Sequence, residues 1–583
     1  MTSIGLTRIA EMLSFRPVLV NTLAALAVLA ALVLDGVLWS VLPALATLLL
    51  IGWGKRRTLV RPRGRVGGLG RSLPARYLLL AAALVQLHGI DQLGGVAIAT
   101  GVLSVLALGM EKVLRASSRF AVPYAAHVPG HRPRSAPSFR YGIALPLSML
   151  SVLMLVLAPL APEPLLLIAL LLAAAALAAL LLAQLDVARR IQDRRRFQAE
   201  LPRILETIGP VFYLYWHAPR RSAFQVTMWL PHLERLGVPF MLVTRTASAF
   251  RQLQEATDHP VILRRSLTDL DDLIVPSVRG VFYVNNAMRN NHMVRYSQLT
   301  HIQLLHGESD KASSASPVTR MYDLNFVAGQ AAIDRFERCG VPMPPGIFRI
   351  TGRPQVEGID AGRAAIEEIG TPSVLYAPTW LGNQAETNYS SLPAGPTIVR
   401  GLLERGCTVV FRPHPYSADS PSLRAACEEI RDVLAADAAA TGRAHLFGTV
   451  AEREMSVVDC FNAADAMIAD VSGVVGDFLH SGKPLAMVSP RTGAAEFVLR
   501  FPMARAAYVL EVEGSVPRDL DGVLDELLRT DSRREERRRW ATYYLGDIPR
   551  EGYAERFVTV AREELGLGGA VPAAPDPDSA ATS

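Results

Sequence analysis

Two histidine motifs stand in the second half of this 583-residue chain. One is His306-Gly307, at the end of the apolar run His301-Ile302-Gln303-Leu304-Leu305. The other is Arg412-Pro413-His414-Pro415, directly after Thr408-Val409-Val410-Phe411. Both follow strand-like stretches and precede polar, loop-like sequence. Open α/β sheets bind ligands at the ends of their strands. Two imidazoles and a guanidinium at such ends suit an anionic group, with one imidazole free to take a proton. Two further strand ends carry Ala377-Pro378-Thr379-Trp380 and Asp470-Val471-Ser472-Gly473, with Asp477 beyond. Each motif alone has a plain structural reading. A histidine at a strand end often only hydrogen-bonds, Ser-Gly is a common turn, prolines stop strands, and a lone Arg412 belongs on a surface. Four such ends in one region point to a site.

The elements that must position these residues alternate from about residue 205 onward. Strand-like runs at Val211–Tyr215, Phe240–Val243, Val261–Leu263, Val281–Val284 and Ile302–Leu305 form one series. Phe348–Ile350, Val374–Tyr376, Val409–Phe411, Ala466–Ile468 and Leu485–Val488 form a second. Helical segments lie between, for example around Phe224–Leu236 and Thr397–Arg405. This alternation predicts two doubly wound, Rossmann-type parallel sheets. The Gly/Pro cluster Gly340, Pro342, Pro344, Pro345, Gly346 and Gly352 places their boundary within 340–372, giving domains 205–345 and 346–566 with a cleft between them. Asp531–Arg539 reads as an exposed, ion-paired helix. The Ala/Pro/Asp-rich tail, 567–583, reads as disordered.

Residues 1–187 differ in kind. Apolar runs at 17–35, 38–53, 77–91, 94–110, 142–160 and 164–184 predict six transmembrane helices, or four if the shorter ones are discounted. Basic residues fill alternate connections. One holds Lys55, Arg56, Arg57, Arg61, Arg63, Arg65, Arg71 and Arg76. The next holds Lys112, Arg115, Arg119, Arg132, Arg134 and Arg140. A basic linker, 188–204, carries Arg189, Arg190, Arg194, Arg195 and Arg196. The positive-inside rule puts these connections, and the region after them, in the cytoplasm of a multi-pass membrane protein. The net charge of +6 is therefore a topology signal rather than a nucleic-acid surface. The four cysteines, Cys339, Cys407, Cys427 and Cys460, form no C-x-x-C pair and read as reduced and mostly buried, without a zinc site. No carboxylate cluster has a metal-binding pattern, so neither a metal nor a cofactor is expected.

The chain resembles the CDP-glycerol glycerophosphotransferases that build teichoic acids and related polymers. Over 205–500, His306, Gly307 and Lys311 match that family's His-Gly-Thr-x-x-Lys motif. Residues 377–380 match its Ala-Pro-Thr-Trp, His414-Pro415 its His-Pro pair, and Asp470 with Ser472 its Asp-Tyr-Ser-Ser segment. Tyr322-Asp323 and Thr351-Gly352-Arg353-Pro354 add to the likeness. Glu308, Val471, Gly473 and Arg353 depart from the pattern, as does the multispan first part. The resemblance implies a GT-B-like pair of domains with the nucleotide mainly on the second.

It also implies chemistry: transfer of a polyol phosphate from a CDP-polyol, CDP-glycerol above all, to a hydroxyl of a lipid-linked or polymer acceptor, releasing CMP. His306 and His414 are the expected catalytic residues, with His306 taking the acceptor proton. Gly307, Lys311, Thr379, Arg412, Asp470, Ser472 and Gly473 are the expected substrate-binding residues. Of these, Arg412, Lys311 and Ser472, with His414, would meet pyrophosphate charge. The start of a helix at Val471–Gly473 would add backbone N–H groups. Asp470 and Asp477 would mainly orient their loops. A GT-B glycosyltransferase with a nucleotide-sugar donor and a non-catalytic membrane scaffold are the alternatives. Two retained histidines and Lys311 speak against a scaffold, which needs no base.

Overall fold

The six apolar runs of the first third fold as helices: α1 (Arg16–Val33), α2 (Leu38–Val60), α3 (Leu73–Gly89), α4 (Gly95–Ser117), α5 (Ala144–Leu157) and α6 (Pro162–Ile208). The structure, a computed structural model, describes residues 16–60, 69–132, 141–219, 221–307, 309–382 and 388–568. Arg61, Arg63, Arg65, Arg134, Arg140, Glu308 and the tail from 569, all part of the sequence reading, lie outside the described residues. Two compact units result: residues 1–125 with 130–202, and residues 126–129 with 203–583.

In the helical unit, α4 and α6 are long and apolar enough to cross a membrane. The apolar stretches Pro17–Val33, Leu38–Gly54 and Ala144–Leu160 are shorter. Among the described residues, the expectation of six spans therefore meets six helices, two of them of spanning length and composition. Small residues such as Ala24, Ala27, Ala169, Ala176 and Ala183 lie at the centre, fully buried. Large apolar side chains face outward, with Leu49 74%, Trp53 70% and Leu171 62% exposed. Arg76 is not the loop residue expected. It lies in the first turn of α3, fully buried, and donates through both terminal nitrogens to the Glu111 carboxylate on α4 at 2.8 Å each. Ser148 on α5 joins them, accepting from Arg76 and donating to Glu111. A buried charge needs a paired partner, and the Glu111 carboxylate with Ser148 supplies one to both terminal nitrogens, while Nε is left without a partner among the described residues.

The second unit holds both sheets. The first contains β1 (Phe212–Trp216), β2 (Phe240–Thr244), β3 (Val261–Leu263), β4 (Gly280–Tyr283), β5 (Thr300–Gln303), β6 (Leu324–Val327) and β7 (Phe348–Ile350). Their order is β3-β2-β1-β4-β5-β6-β7, with a two-residue edge strand through Ala126 beyond β3, and all seven run parallel. The second contains β8 (Ser373–Ala377), β9 (Thr408–Phe411), β10 (Ala466–Ala469), β11 (Leu485–Ser489), β12 (Tyr508–Glu513) and β13 (Val516–Pro517). Their order is β9-β8-β10-β11-β12-β13, parallel except for the last pair. β1 and β2 are buried along their whole length, as continuous apolar runs covered on both faces require. The two Rossmann-type domains of a GT-B-like chain are thus present. In each, chain order reverses at one place: between β1 and β4 in the first sheet, and between β8 and β10 in the second. Those reversals open the crevices where such sheets bind ligands.

Three expectations need correction. Phe348–Ile350 does not open the second series; as β7 it pairs with β6 and closes the first sheet. The boundary at 345/346 is therefore too early. The C-terminal helix Tyr553–Glu564 returns to the first domain, where Phe557 packs on Trp229 and Phe326, and Arg562 donates to the Leu236 carbonyl at 2.5 Å. The charged segment 531–539 is only partly an exposed helix. Arg538–Glu535 and Arg539–Glu536 are surface pairs, but Arg537 is fully buried and binds Asp531 with both carboxylate contacts at 2.7 Å.

Candidate active site

The His306 loop is held by side chains that its own sequence places just before it. Gln303, the last residue of β5, donates to the Asn285 carbonyl (3.0 Å) and the Asn286 side chain (2.8 Å). Its Oε1 accepts from the Leu305 N–H at 2.9 Å. Trp229 donates to the Leu305 carbonyl at 2.6 Å. Leu305 itself takes φ +55°, a left-handed conformation that a branched residue keeps only when its surroundings impose it. This turn aims His306 at the reversal between β1 and β4.

The tautomer of His306 follows from its partners. Nδ1 faces the Val284 carbonyl at 2.7 Å, and a carbonyl can only accept, so Nδ1 carries the hydrogen. Nε2 is then the lone-pair nitrogen. It faces the Gln225 amide nitrogen at 3.4 Å, a donor. Gln225 is fixed by Trp216 (3.1 Å) and Asn285 (2.8 Å), both donating to its Oε1. Burial depresses the His306 pKa and the Arg353 charge adds to this, against the Val284 hydrogen bond. His306 is therefore a neutral imidazole with a basic Nε2, held in one orientation.

His414 is set the opposite way. Its Nδ1 accepts from the Tyr416 N–H at 3.1 Å, so the neutral ring carries its hydrogen on Nε2. Trp380 stacks on it with ring centroids 6.0 Å apart. Burial, then the charges of Lys311 and His306, push its pKa down to about 4. The two histidines thus share one electrostatic environment, one presenting an acceptor and the other a donor.

Lys311 and Asp470 complete the cluster. Asp470 follows β10 and is fully buried; one carboxylate oxygen accepts from the Thr379 N–H (2.6 Å) and the Ser391 N–H (3.1 Å). It ties the ends of β8 and β10 together across the second reversal. Burial raises its pKa to about 6, opposed by Ser391, Thr379 and Lys311. Burial lowers the pKa of Lys311, with Asp470 acting against it, and its ammonium lies 5.7 Å from the Tyr389 ring centre. Asp310, next to Lys311, accepts from the Met503 N–H (2.8 Å) and the Tyr544 hydroxyl (2.7 Å), fastening the His306 loop to the second domain.

A Cβ on Gly307 would stand 4.0 Å from the Gly473 Cα, so the two motif glycines face each other. Ser472 precedes the six-residue helix Gly473–Phe478, and its hydroxyl is buried without a hydrogen-bond partner among the described residues. Thr379 enters through its backbone: its N–H meets Asp470 and its carbonyl accepts from Ser390 at 2.6 Å. Arg412 is not brought into the cluster. Its guanidinium turns to the Ala451 carbonyl and to the Met455 carbonyl at 2.9 Å, bracing the turn Val450–Glu454. Asp477 holds Arg353 in a two-point ion pair, the loop-fixing role expected of it. Gln225, Asn285 and Trp229 were not singled out from sequence. Nothing local marks them, because the contacts Asn285–Gln225, Trp229–Leu305 and Gln225–His306 join residues 60 to 81 positions apart.

Residues 358–540 match the family model described as CDP-Glycerol:Poly(glycerophosphate) glycerophosphotransferase. The match spans Thr379, His414, Asp470 and Ser472, and leaves out His306 and Lys311. Among curated proteins, none matches the chain. Solved structures with loose overall likeness include the wall teichoic acid polymerase TagF soaked with CDPG. It is 12% identical, with a TM-score of 0.42, over 64% of this chain and 93% of that one. A UDP-N-acetylglucosamine 2-epimerase is 16% identical, with a TM-score of 0.40, over 63% and 99%. The S. aureus MnaA–UDP complex is 17% identical, with a TM-score of 0.41, over 62% and 98%. By the sequence of its second α/β domain, the chain is similar to transferases of the CDP-glycerol:poly(glycerophosphate) glycerophosphotransferase family.

Proposed function

We propose that the protein is a membrane-bound transferase that moves a polyol phosphate from a CDP-polyol, CDP-glycerol first, to an acceptor hydroxyl, releasing CMP. The observation that carries this reading is the pair of histidines in opposite tautomers beside Lys311, in a domain pair whose second half matches the glycerophosphotransferase family. An alcohol is a weak nucleophile at neutral pH and needs a positioned base. His306 Nε2 takes the hydroxyl proton as the oxygen attacks the phosphorus that bears the polyol. The bond from that phosphorus to the bridging oxygen breaks, and CMP leaves with the electron pair. His414 Nε2–H and the Lys311 ammonium face the negative charge that builds on the phosphates. The buried, unpartnered Ser472 hydroxyl is a further donor for a phosphate oxygen. Arg412 braces a turn and takes no part in this step.

The acceptor is a lipid-linked saccharide or growing polymer. Outward-facing Leu and Trp around a small-residue interior suit a helical unit whose solvent is hydrocarbon. The flanking arginines support a cytoplasmic catalytic unit in this reading. The test is CMP release from CDP-glycerol by the full chain in detergent with a lipid acceptor, beside His306→Ala and with CDP-ribitol and UDP-sugars. CMP release that the variant loses supports the reading. Turnover of a UDP-sugar alone makes the protein a glycosyltransferase instead.

A further inference from the structure

The step just described leaves a second charged cluster of the first domain unused. Arg245 directly follows β2 and is 4% exposed. Its guanidinium contacts His292 Nδ1 at 2.9 Å and donates to the Arg265 carbonyl at 2.9 Å, and its Nε is buried without a partner. Among the described residues no carboxylate pairs with it. His217, after β1, has a buried Nδ1 that also lacks a partner. Arg289, after β4, is exposed, and its carbonyl accepts from the Tyr215 hydroxyl at 3.1 Å. The charged groups acting on His217 are Arg289, Arg245 and His292; those acting on His292 are Arg245, Arg289 and Arg295. All are basic. The nearby acids serve other partners: Asp271 pairs with Arg295, and Asp269 accepts from the Arg265 and Ser266 N–H groups.

A guanidinium removed from water without a counter-ion is unstable unless an anion arrives. Arg245, His217 and Arg289 follow β2, β1 and β4, the strands at the first reversal, on the same sheet edge as His306. A short relay joins them to it. Asn285 donates to the His217 carbonyl (3.2 Å) and to Gln225 Oε1 (2.8 Å), and the Gln225 amide faces His306 Nε2.

We propose that Arg245, Arg289, His217 and His292 form an anion subsite that holds a phosphate group of the acceptor beside the hydroxyl that His306 deprotonates. This rests on the transferase reading above. Guanidinium and imidazole donors converging from three loops suit a group with several oxygens, such as a phosphate. The subsite lies in the first domain, outside the family-matched residues 358–540, whereas the family resemblance implies a nucleotide mainly on the second domain. It therefore serves the acceptor, and makes the enzyme prefer acceptors whose reactive end carries a phosphate.

The test uses the full chain in detergent with two lipid acceptors that share the same terminal hydroxyl, one with an adjacent phosphodiester and one without. Arg245→Gln and Arg289→Ala are compared with wild type; the second replaces an exposed side chain and leaves the fold intact. The expected result is that the kcat/KM preference for the charged acceptor falls about tenfold or more in each variant, as loss of a charge-assisted contact implies. The KM for CDP-glycerol does not follow. An unchanged preference in both variants overturns the proposal. Binding of glycerol 3-phosphate, measured by calorimetry, separates the two readings. If His306→Ala binds it and Arg245→Gln does not, the subsite stands even where CDP-glycerol is not turned over. If Arg245→Gln and Arg289→Ala both bind it as wild type does, the subsite falls while the transferase reading survives.

Discussion

Replacing His306 by alanine removes the nitrogen proposed as the base, and its surroundings set how large the loss should be. Nδ1–H is committed to the Val284 carbonyl at 2.7 Å, which leaves Nε2 as the proton acceptor. Burial holds the pKa below its ordinary value of 6.5, so the ring is unprotonated in at least about nine molecules of ten at pH 7.5. The base is thus fully available at working pH, and its removal exposes the whole effect of general-base catalysis, about 10²- to 10⁴-fold. That corresponds to roughly 3–5 kcal/mol of barrier. CMP release should fall by this factor in kcat, with little change in the KM for CDP-glycerol. The acid limb of the wild-type kcat/KM profile belongs to His306 and should vanish in the variant. A limb near pH 6 that survives belongs to Asp470, whose carboxyl burial raises to about 6. A variant that keeps more than about a tenth of wild-type turnover, less than the smallest loss expected of a general base, refutes the assignment of the base.

Other consequences concern stability. His232, His414 and His480 have pKa values lowered to about 4, so their stability is present above 6.5 and is lost as pH falls towards 4. Asp470, raised to about 6, acts oppositely, so unfolding at pH 5 should take up at least about two protons net, read as the slope of stability against pH. Glu111→Gln leaves the fully buried Arg76 uncompensated and should destabilise the helical unit by about 3–5 kcal/mol; pairing it with Arg76→Met should restore most of the loss in thermal unfolding. Gly352 takes φ +69°, and a Cβ there would lie 2.5 Å from Ile548 and 2.6 Å from Tyr553. Gly352→Ala should therefore cost about 2–4 kcal/mol in denaturant unfolding, from left-handed strain and overpacking together.

The sequence by itself determined most of the segments that become strands and helices, though not β6 and β12, and which strand ends carry the candidate residues. Apolar runs bounded by Gly, Pro and polar residues are local signals, so β1 to β5 and β8 to β11 lie where the runs predict. His306, His414, Lys311 and Asp470 follow or cap those runs, and a parallel doubly wound sheet brings such ends to one edge. Tertiary structure alone decided the partners. β7 joined the first sheet because a short run does not encode which edge it meets. The C-terminal helix crossed back because Phe557 finds Trp229 and Phe326 there. Arg412 left the site for the carbonyls of Ala451 and Met455, and Arg76 left its basic loop for Glu111. A long cation goes where unsatisfied acceptors or a carboxylate are brought to it, and those come from far along the chain. The same holds for the proton on His306: residue type supplies an imidazole, but only the Val284 carbonyl, 22 positions away, decides which nitrogen is left as an acceptor.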